Sequence, residues 1–157
     1  MFRVILFSIV LGTVFSGCNK WEEGCTYEEC AVKAPADQVQ AVEDYLSSQG
    51  ITNAVKHCSG MYYVIDEPGT GGSPEGCSAV DVTYTGSLTN GTVFDSGQTQ
   101  LSLGSVIRGW RNGLPLLKEG GKIRLYIPPA LGYGDQPNGP IPGKSILIFS
   151  IELNALL

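Results

Sequence analysis

The chain is 157 residues long, with 10 Lys and Arg against 15 Asp and Glu and a formal net charge of −5. That length holds one domain with room for an extension. The acidic balance, with no basic run anywhere, excludes a binder of nucleic-acid phosphates, and abundant glycine through the second half points to a β-rich chain with tight turns.

The first residues read as a targeting segment and not as part of the fold. Met1-Phe2-Arg3 is a short positive start, and an apolar stretch runs from Val4 to Phe15. It is too short to span a bilayer as a stable helix. Ser16-Gly17-Cys18 follows, small residues set directly before a cysteine, which resembles the lipobox of bacterial lipoproteins. Residues 1–17 are thus expected to be removed as a signal peptide and Cys18 to carry lipid, with ordinary secretion as the alternative. Phe15 departs from the Leu usual at its position.

Cys25, Cys30, Cys58 and Cys77 remain, which in an exported domain suggests two disulfides with three available connectivities. The segment from Cys58 to Cys77 brackets one strand and a glycine-rich turn. A hairpin-like closure there favours Cys58–Cys77, leaving Cys25–Cys30. No metal site is expected: paired C-x-x-C spacing is missing, and His57 is the only histidine.

Residues 18–57 are expected to form an acidic tether followed by a helix. Asp37, with Gln40 three residues on, has the form of a capping box. Val39, Val42 and Leu46 then recur at helical spacing, and Gly50 supplies a stop. A helix of this length is marginal alone and must cover an apolar surface, most simply that of its own domain.

From Gly60 the period changes. Met61 to Ile65 reads as a strand ending in Pro68-Gly69-Thr70-Gly71-Gly72. Val80, Val82 and Tyr84 alternate with Asp81 and Thr83 as in a half-buried strand. Asn90-Gly91 marks a hairpin turn into Thr92-Val93-Phe94-Asp95. Trp110, Leu114 and Leu117 then share one face of a short helix entered through Val106-Ile107 and ended by Pro115. Ile123, Leu125 and Ile127 form another alternating strand, stopped by Pro128-Pro129. Residues 130–144 are a loop carrying Tyr133, and Leu147, Phe149, Ile151 and Leu153 line one face of the last strand. Strands on both sides of one short helix imply an α+β arrangement, an antiparallel sheet packed on that helix.

No hydrolytic elbow, phosphate loop or paired-acid pattern occurs. What stands out is a set of apolar and aromatic residues, Tyr84, Phe94, Val106, Ile107, Trp110, Tyr133 and Phe149, with polar anchors in Asp95 and the Tyr133 hydroxyl. An apolar pocket with a few polar groups is the usual form of a small-ligand site.

Five ordered motifs carry a family resemblance. Val82-Thr83-Tyr84-Thr85-Gly86, Asn90-Gly91-Thr92-Val93-Phe94-Asp95-Ser96, Val106-Ile107-Arg108-Gly109-Trp110, Ile127-Pro128-Pro129-Ala130-Leu131-Gly132-Tyr133-Gly134, and Ile141-Pro142 with Leu147-Ile148-Phe149-Ser150-Ile151-Glu152-Leu153 resemble the FKBP-type peptidyl-prolyl cis-trans isomerases. The layout also resembles their exported lipoprotein forms in Gram-negative bacteria. The resemblance implies an isomerase domain over residues 58–157, with a five- to six-stranded antiparallel sheet wrapped on one short helix and an N-terminal helical extension. It implies EC 5.2.1.8 activity without a cofactor on proline-containing clients of the cell envelope, at the periplasmic side of the outer membrane. A non-catalytic chaperone using the same groove is the alternative.

Carried over by motif, Tyr84, Asp95, Trp110 and Tyr133 would be the catalytic set, with Trp110 as the platform under the proline ring. Phe94, Val106, Ile107 and Phe149 would form the walls, the Ile107 N–H and the Tyr133 hydroxyl would each bind a substrate carbonyl, and Ile141 would close the pocket from its loop. Departures bear on macrolide inhibitors, the other ligands implied. Residues 96–104 are short and lack an Arg partner for Asp95, Leu101 stands where an aromatic is common, and Ser105, Gly132 and Pro140 differ from frequent residues. The N-terminal helix is shorter than the dimerising stalks of some exported relatives, so a monomer is expected.

Overall fold

The computed structural model describes residues 26–157. Cys18, Cys25 and the expected signal segment lie outside the described residues. Helix α1 (Ala36–Ser48) precedes strands β1 (Val55–Lys56), β2 (Tyr62–Glu67), β3 (Ala79–Leu88) and β4 (Val93–Ser102). Helix α2 (Arg108–Gly113) follows, continued by a 3-10 turn over Leu114–Leu116, and then β5 (Lys122–Ile127) and β6 (Leu147–Leu156). The six strands form one antiparallel sheet in the order β1-β2-β5-β6-β3-β4. Among the described residues, no helix is long and apolar enough to cross a membrane.

The alternation seen in sequence decides what each face of the sheet buries. Val80, Val82, Ile123, Leu125, Ile127, Phe149, Ile151 and Leu153 point to one side and close over Trp110, Leu114 and Leu117. The glycines of α2 permit this contact. A Cβ on Gly109 would overlap the buried Ile127 side chain, and one on Gly113 would lie 2.6 Å from Leu125. Residues that lower helix propensity are thus the ones that let the helix sit directly on β5.

The opposite face is covered only in part. Val42 and Leu46 of α1 pack on Val64 and Tyr126 there, with Tyr62, Ile146 and Ile148 around them. Tyr126, on the polar side of the β5 alternation, is therefore buried as well. The capping box does not form: Pro35 occupies the N-cap without a side-chain hydrogen bond, and Asp37 lies inside the first turn. Gln40 donates instead to Asp44 at 3.0 Å. Gln38 accepts the Ala130 N–H at 2.9 Å, tying α1 to the segment that leads to Tyr133.

The disulfide assignment also changes. Cys30 is bonded to Cys58, with Cα atoms 5.8 Å apart, so neither Cys58–Cys77 nor Cys25–Cys30 forms. Cys77 is disulfide-bonded as well. The expected hairpin closure fails because β2 and β3, consecutive in sequence, are separated in the sheet by β5 and β6. Three strand spacings amount to about 14 Å.

Residues 26–32 form a strap over α2. The Arg111 guanidinium lies over the Tyr27 ring at 5.1 Å. The Tyr27 hydroxyl donates to Asn112 Oδ1 at 3.0 Å, and Arg111 donates to the carbonyls of Thr26 and Gly76 at 2.9 Å each.

Candidate active site

The inner face of the sheet does not close completely over α2. A cavity of about 280 Å³ remains, lined by Tyr84 from β3, Phe94, Asp95, Thr99 and Leu101 from β4, Ser105, Val106 and Ile107 from the connection to α2, Trp110, Tyr133 and Phe149. Size alone does not pick it out, since a groove of about 700 Å³ runs beside α1. Its chemistry does: aromatic walls around a few polar groups.

Local structure explains how neighbouring residues reach the same cavity. Gly86 pairs with Asp95 and Ser87 with Val93, so Phe94 is an extra residue in β4. Such a bulge lets Phe94 and Asp95, adjacent in sequence, both face the site. The lip begins with a 3-10 turn over Leu103–Ser105, where Ser102 Oγ accepts the Gly104 N–H at 3.3 Å and Ser105 Oγ donates to the Ser102 carbonyl at 2.9 Å. Tyr133 follows another 3-10 turn, Pro129–Leu131, and is held by the Gly134 N–H donating to the Pro129 carbonyl at 2.8 Å.

Trp110 is the centre of an edge-to-face aromatic chain. Its ring lies 5.2 Å from Tyr84 at 77° and 5.2 Å from Phe149 at 88°, and Phe149 lies 5.5 Å from Phe94 at 85°. Electropositive ring edges meet electron-rich faces in each pair, which fixes ring orientation as well as contact. Trp110 is 5% exposed, and its indole N–H is buried without an acceptor among the described residues.

The polar groups sit at the rim. The Tyr84 hydroxyl donates to Asp95 Oδ2 at 2.7 Å. That bond, then burial and the Asp95 charge, push the Tyr84 hydroxyl pKa up to about 12. The Tyr133 hydroxyl is raised by burial and then by the Asp95 charge. Both phenols thus stay protonated and able to donate at neutral pH. The Ile107 N–H, at the start of α2, has no hydrogen-bond acceptor among the described residues.

The structure brings together every residue singled out for this site except Ile141. That residue is 5% exposed, part of the main core, and held by two backbone hydrogen bonds with Asn138 of 2.9 and 3.0 Å. It is not on the cavity wall. Thr99 was not singled out, and Leu101 and Ser105 were noted only as departures. All three line the cavity, and the period of two from Asp95 through Gly97 to Thr99 and Leu101 is the signal that places the first two. Outside the cavity, Glu29, Cys30, His57 and Cys58 gather side chains of metal-binding type within 4.8 Å. Both sulfurs are consumed by the disulfide, so the cluster offers no thiolate in this state.

Comparison with known proteins decides the family. A model described as FKBP-type peptidyl-prolyl cis-trans isomerase matches residues 71–154. The chain belongs to the FKBP family. This FKBP is 38% identical to FkpA of Aeromonas hydrophila over 120 residues, 73% of this chain and 45% of that protein. It is 49% identical to FkpA of Buchnera aphidicola subsp. Schizaphis graminum over 104 residues, 62% of this chain and 41% of that protein. The FKBP chain therefore spans less than half the length of these curated relatives. Its fold is similar to the crystal structure of FkpA from Escherichia coli, with a TM-score of 0.69 and 34% identity over 77% of this chain and 60% of the other. It is also similar to a peptidyl-prolyl cis-trans isomerase from Pseudomonas syringae pv. tomato, with a TM-score of 0.68 and 31% identity over 80% and 98% of the two chains.

Proposed function

We propose that the protein catalyses cis–trans isomerisation of X-Pro bonds in polypeptides, with the aromatic cavity as the active site. The observation that carries this reading is the cavity itself: an aromatic floor at Trp110 with hydrogen-bond donors at its rim. Amide resonance gives the C–N bond double-bond character, and unaided X-Pro rotation takes tens to hundreds of seconds. At the twisted transition state that resonance is lost.

An apolar cavity disfavours the charge-separated planar amide and accommodates the twisted one better, which is catalysis by differential binding. The proline ring sits on Trp110, walled by Phe94, Val106, Ile107 and Phe149. The Ile107 N–H and the Tyr133 hydroxyl take flanking carbonyls, and Tyr84 with Asp95 forms the polar edge. Tyr84, Asp95, Trp110 and Tyr133 are thus assigned the catalytic roles. No bond to carbon forms or breaks.

The setting follows from the first residues. Cleavage before Cys18 and lipid on its thiol would anchor residues 18–57 as a tether, holding the isomerase domain of residues 58–157 at the cell envelope as a monomer. Proline-containing envelope proteins are then the clients. A cis-to-trans assay on short X-Pro peptides, with a soluble form starting after Cys18, tests the activity. A rate well above background is expected; a folded protein without one would make the groove a binding site only. Mass spectrometry of the membrane fraction reads the lipid on Cys18.

A further inference from the structure

The Cys30–Cys58 disulfide does not stand among apolar side chains. Cys58 is exposed on the wall of the groove of about 700 Å³, alongside Ala34, Val39, Glu43 and Lys56. Cys30, half-buried, faces a second groove on the α2 side. Against both sulfurs lies the His57 ring, whose side chain is only 5% exposed. Its Nδ1 is 3.7 Å from Cys30 Sγ, while Cys58 Sγ lies beside the ring, 3.9 Å from Nδ1 and 4.0 Å from Nε2.

The neighbours of His57 set its tautomer. The Ser59 backbone N–H, which can only donate, points at Nδ1 from 3.2 Å, with Ser59 Oγ at 2.9 Å. Nδ1 is therefore the acceptor, and Nε2 carries the proton and donates it to Glu29 Oε1 at 3.0 Å. The Glu29 carboxylate, the imidazole and the Cys30 sulfur stand in sequence, the base-and-orienter arrangement that activates a thiol. An inert crosslink needs none of these groups. Cys30 adds an independent feature: its φ of +62° puts a non-glycine residue in the left-handed region. That conformation is uncommon for a residue other than glycine.

We propose that Cys30–Cys58 is a thiol–disulfide exchange centre that oxidises dithiol segments of polypeptides, an activity separate from the aromatic cavity. A client thiol in the groove gives its proton to His57 Nδ1 as its sulfur attacks Cys58 Sγ. The Cys30–Cys58 bond breaks and a client–Cys58 mixed disulfide forms. Cys30 leaves toward the imidazolium, held in place by Glu29, and takes the proton as a thiol. The second client thiol then attacks the client sulfur of the mixed disulfide, and Cys58 leaves as a thiol. The client dithiol is oxidised by two electrons, and Cys30 and Cys58 are reduced by the same two. A low-molecular-weight disulfide such as oxidised glutathione restores the starting state.

The test is stoichiometric exchange between the oxidised full chain and a short synthetic peptide with two cysteines and no proline, anaerobically and with a chelator present. Alkylation and mass spectrometry should show one peptide disulfide formed per chain, with new thiols at Cys30 and Cys58. Glu29→Gln should slow the reaction about tenfold without changing the melting temperature, and Glu29→Asp should retain most of the rate. His57→Asn should slow it at least as much; should that buried change prevent folding, the exposed Glu29 variants decide the matter alone. Retention of the Cys30–Cys58 bond in excess peptide, thiols appearing only at Cys77, or an unchanged rate in Glu29→Gln would each overturn the proposal. Because the peptide lacks proline, the result is independent of the isomerase reading.

Discussion

The Tyr84 hydroxyl and the Asp95 carboxylate meet at 2.7 Å across the β3–β4 pair, although neither stands directly opposite the other. Tyr84 pairs with Gly97, and Asp95 pairs with Gly86, so the contact is a diagonal made at the mouth of the cavity. A phenol that would otherwise swing freely is aimed by a charge. Removing either partner should therefore disturb the substrate site more than the fold. Tyr84→Phe and Asp95→Ala are each expected to lower kcat/KM about tenfold, the scale of one charge-assisted hydrogen bond partly expressed in the transition state. Peptide isomerisation rates and thermal melts on the same samples check both halves of the expectation.

The same contact gives a pH signature. The folded-state value of Tyr84, about 12, lies above the usual tyrosine value near 10. Stability from this bond is thus fully present below about pH 10 and is lost as pH rises through about 12. Isomerase activity dependent on the phenol should be flat between about pH 6 and 9. In an ultraviolet phenolate titration, Tyr84→Phe should remove one late-titrating tyrosine.

Gln38 offers a test of the link between α1 and the site. Its side chain accepts the Ala130 N–H, three residues before Tyr133. Gln38→Ala leaves that half-buried amide without its partner, at a cost of about 1 kcal/mol. A drop of a few degrees in Tm is expected, together with a kcat/KM loss of a few-fold from a displaced Tyr133. Gln38→Glu, which keeps an acceptor, should recover most of both.

Gly109 tests the closeness of α2 to the sheet. In Gly109→Ala the new methyl meets Ile127, which is wholly buried and cannot yield. Overpacking of this kind costs about 1–3 kcal/mol, more than the helix propensity gained. Denaturant unfolding should show the loss, and Ile127→Val in the same chain should restore part of it.

The parts of the fold legible in the sequence were those where one face is buried and the other is not. Val80, Val82 and Tyr84, or Leu147 through Leu153, write their burial into a period of two, and Trp110, Leu114 and Leu117 write theirs into a helical one. Strand β4 is harder to see because Gln98, Thr99 and Gln100 are polar; it forms by pairing with β3, while Gln98 donates to Asp81 at 2.8 Å on the outer side. Tyr126 is buried for a reason its own strand does not contain, the arrival of α1. The Cys30–Cys58 bond depends on sheet order, which local pattern does not carry. Ile141 was placed through resemblance of its loop, and the Asn138 pairing draws it into the core instead.

The strap of residues 26–32 gives the molecule a mechanical direction. Tyr27 and Thr26 are fastened to Arg111 and Asn112, and Cys30 to Cys58, all ahead of α1 in the chain. Tension applied to the chain before residue 26 meets these fastenings first. The helix that props the Tyr133 loop lies behind a covalent stop, so a tug on the leading end is borne by α2 and the disulfide before it reaches α1.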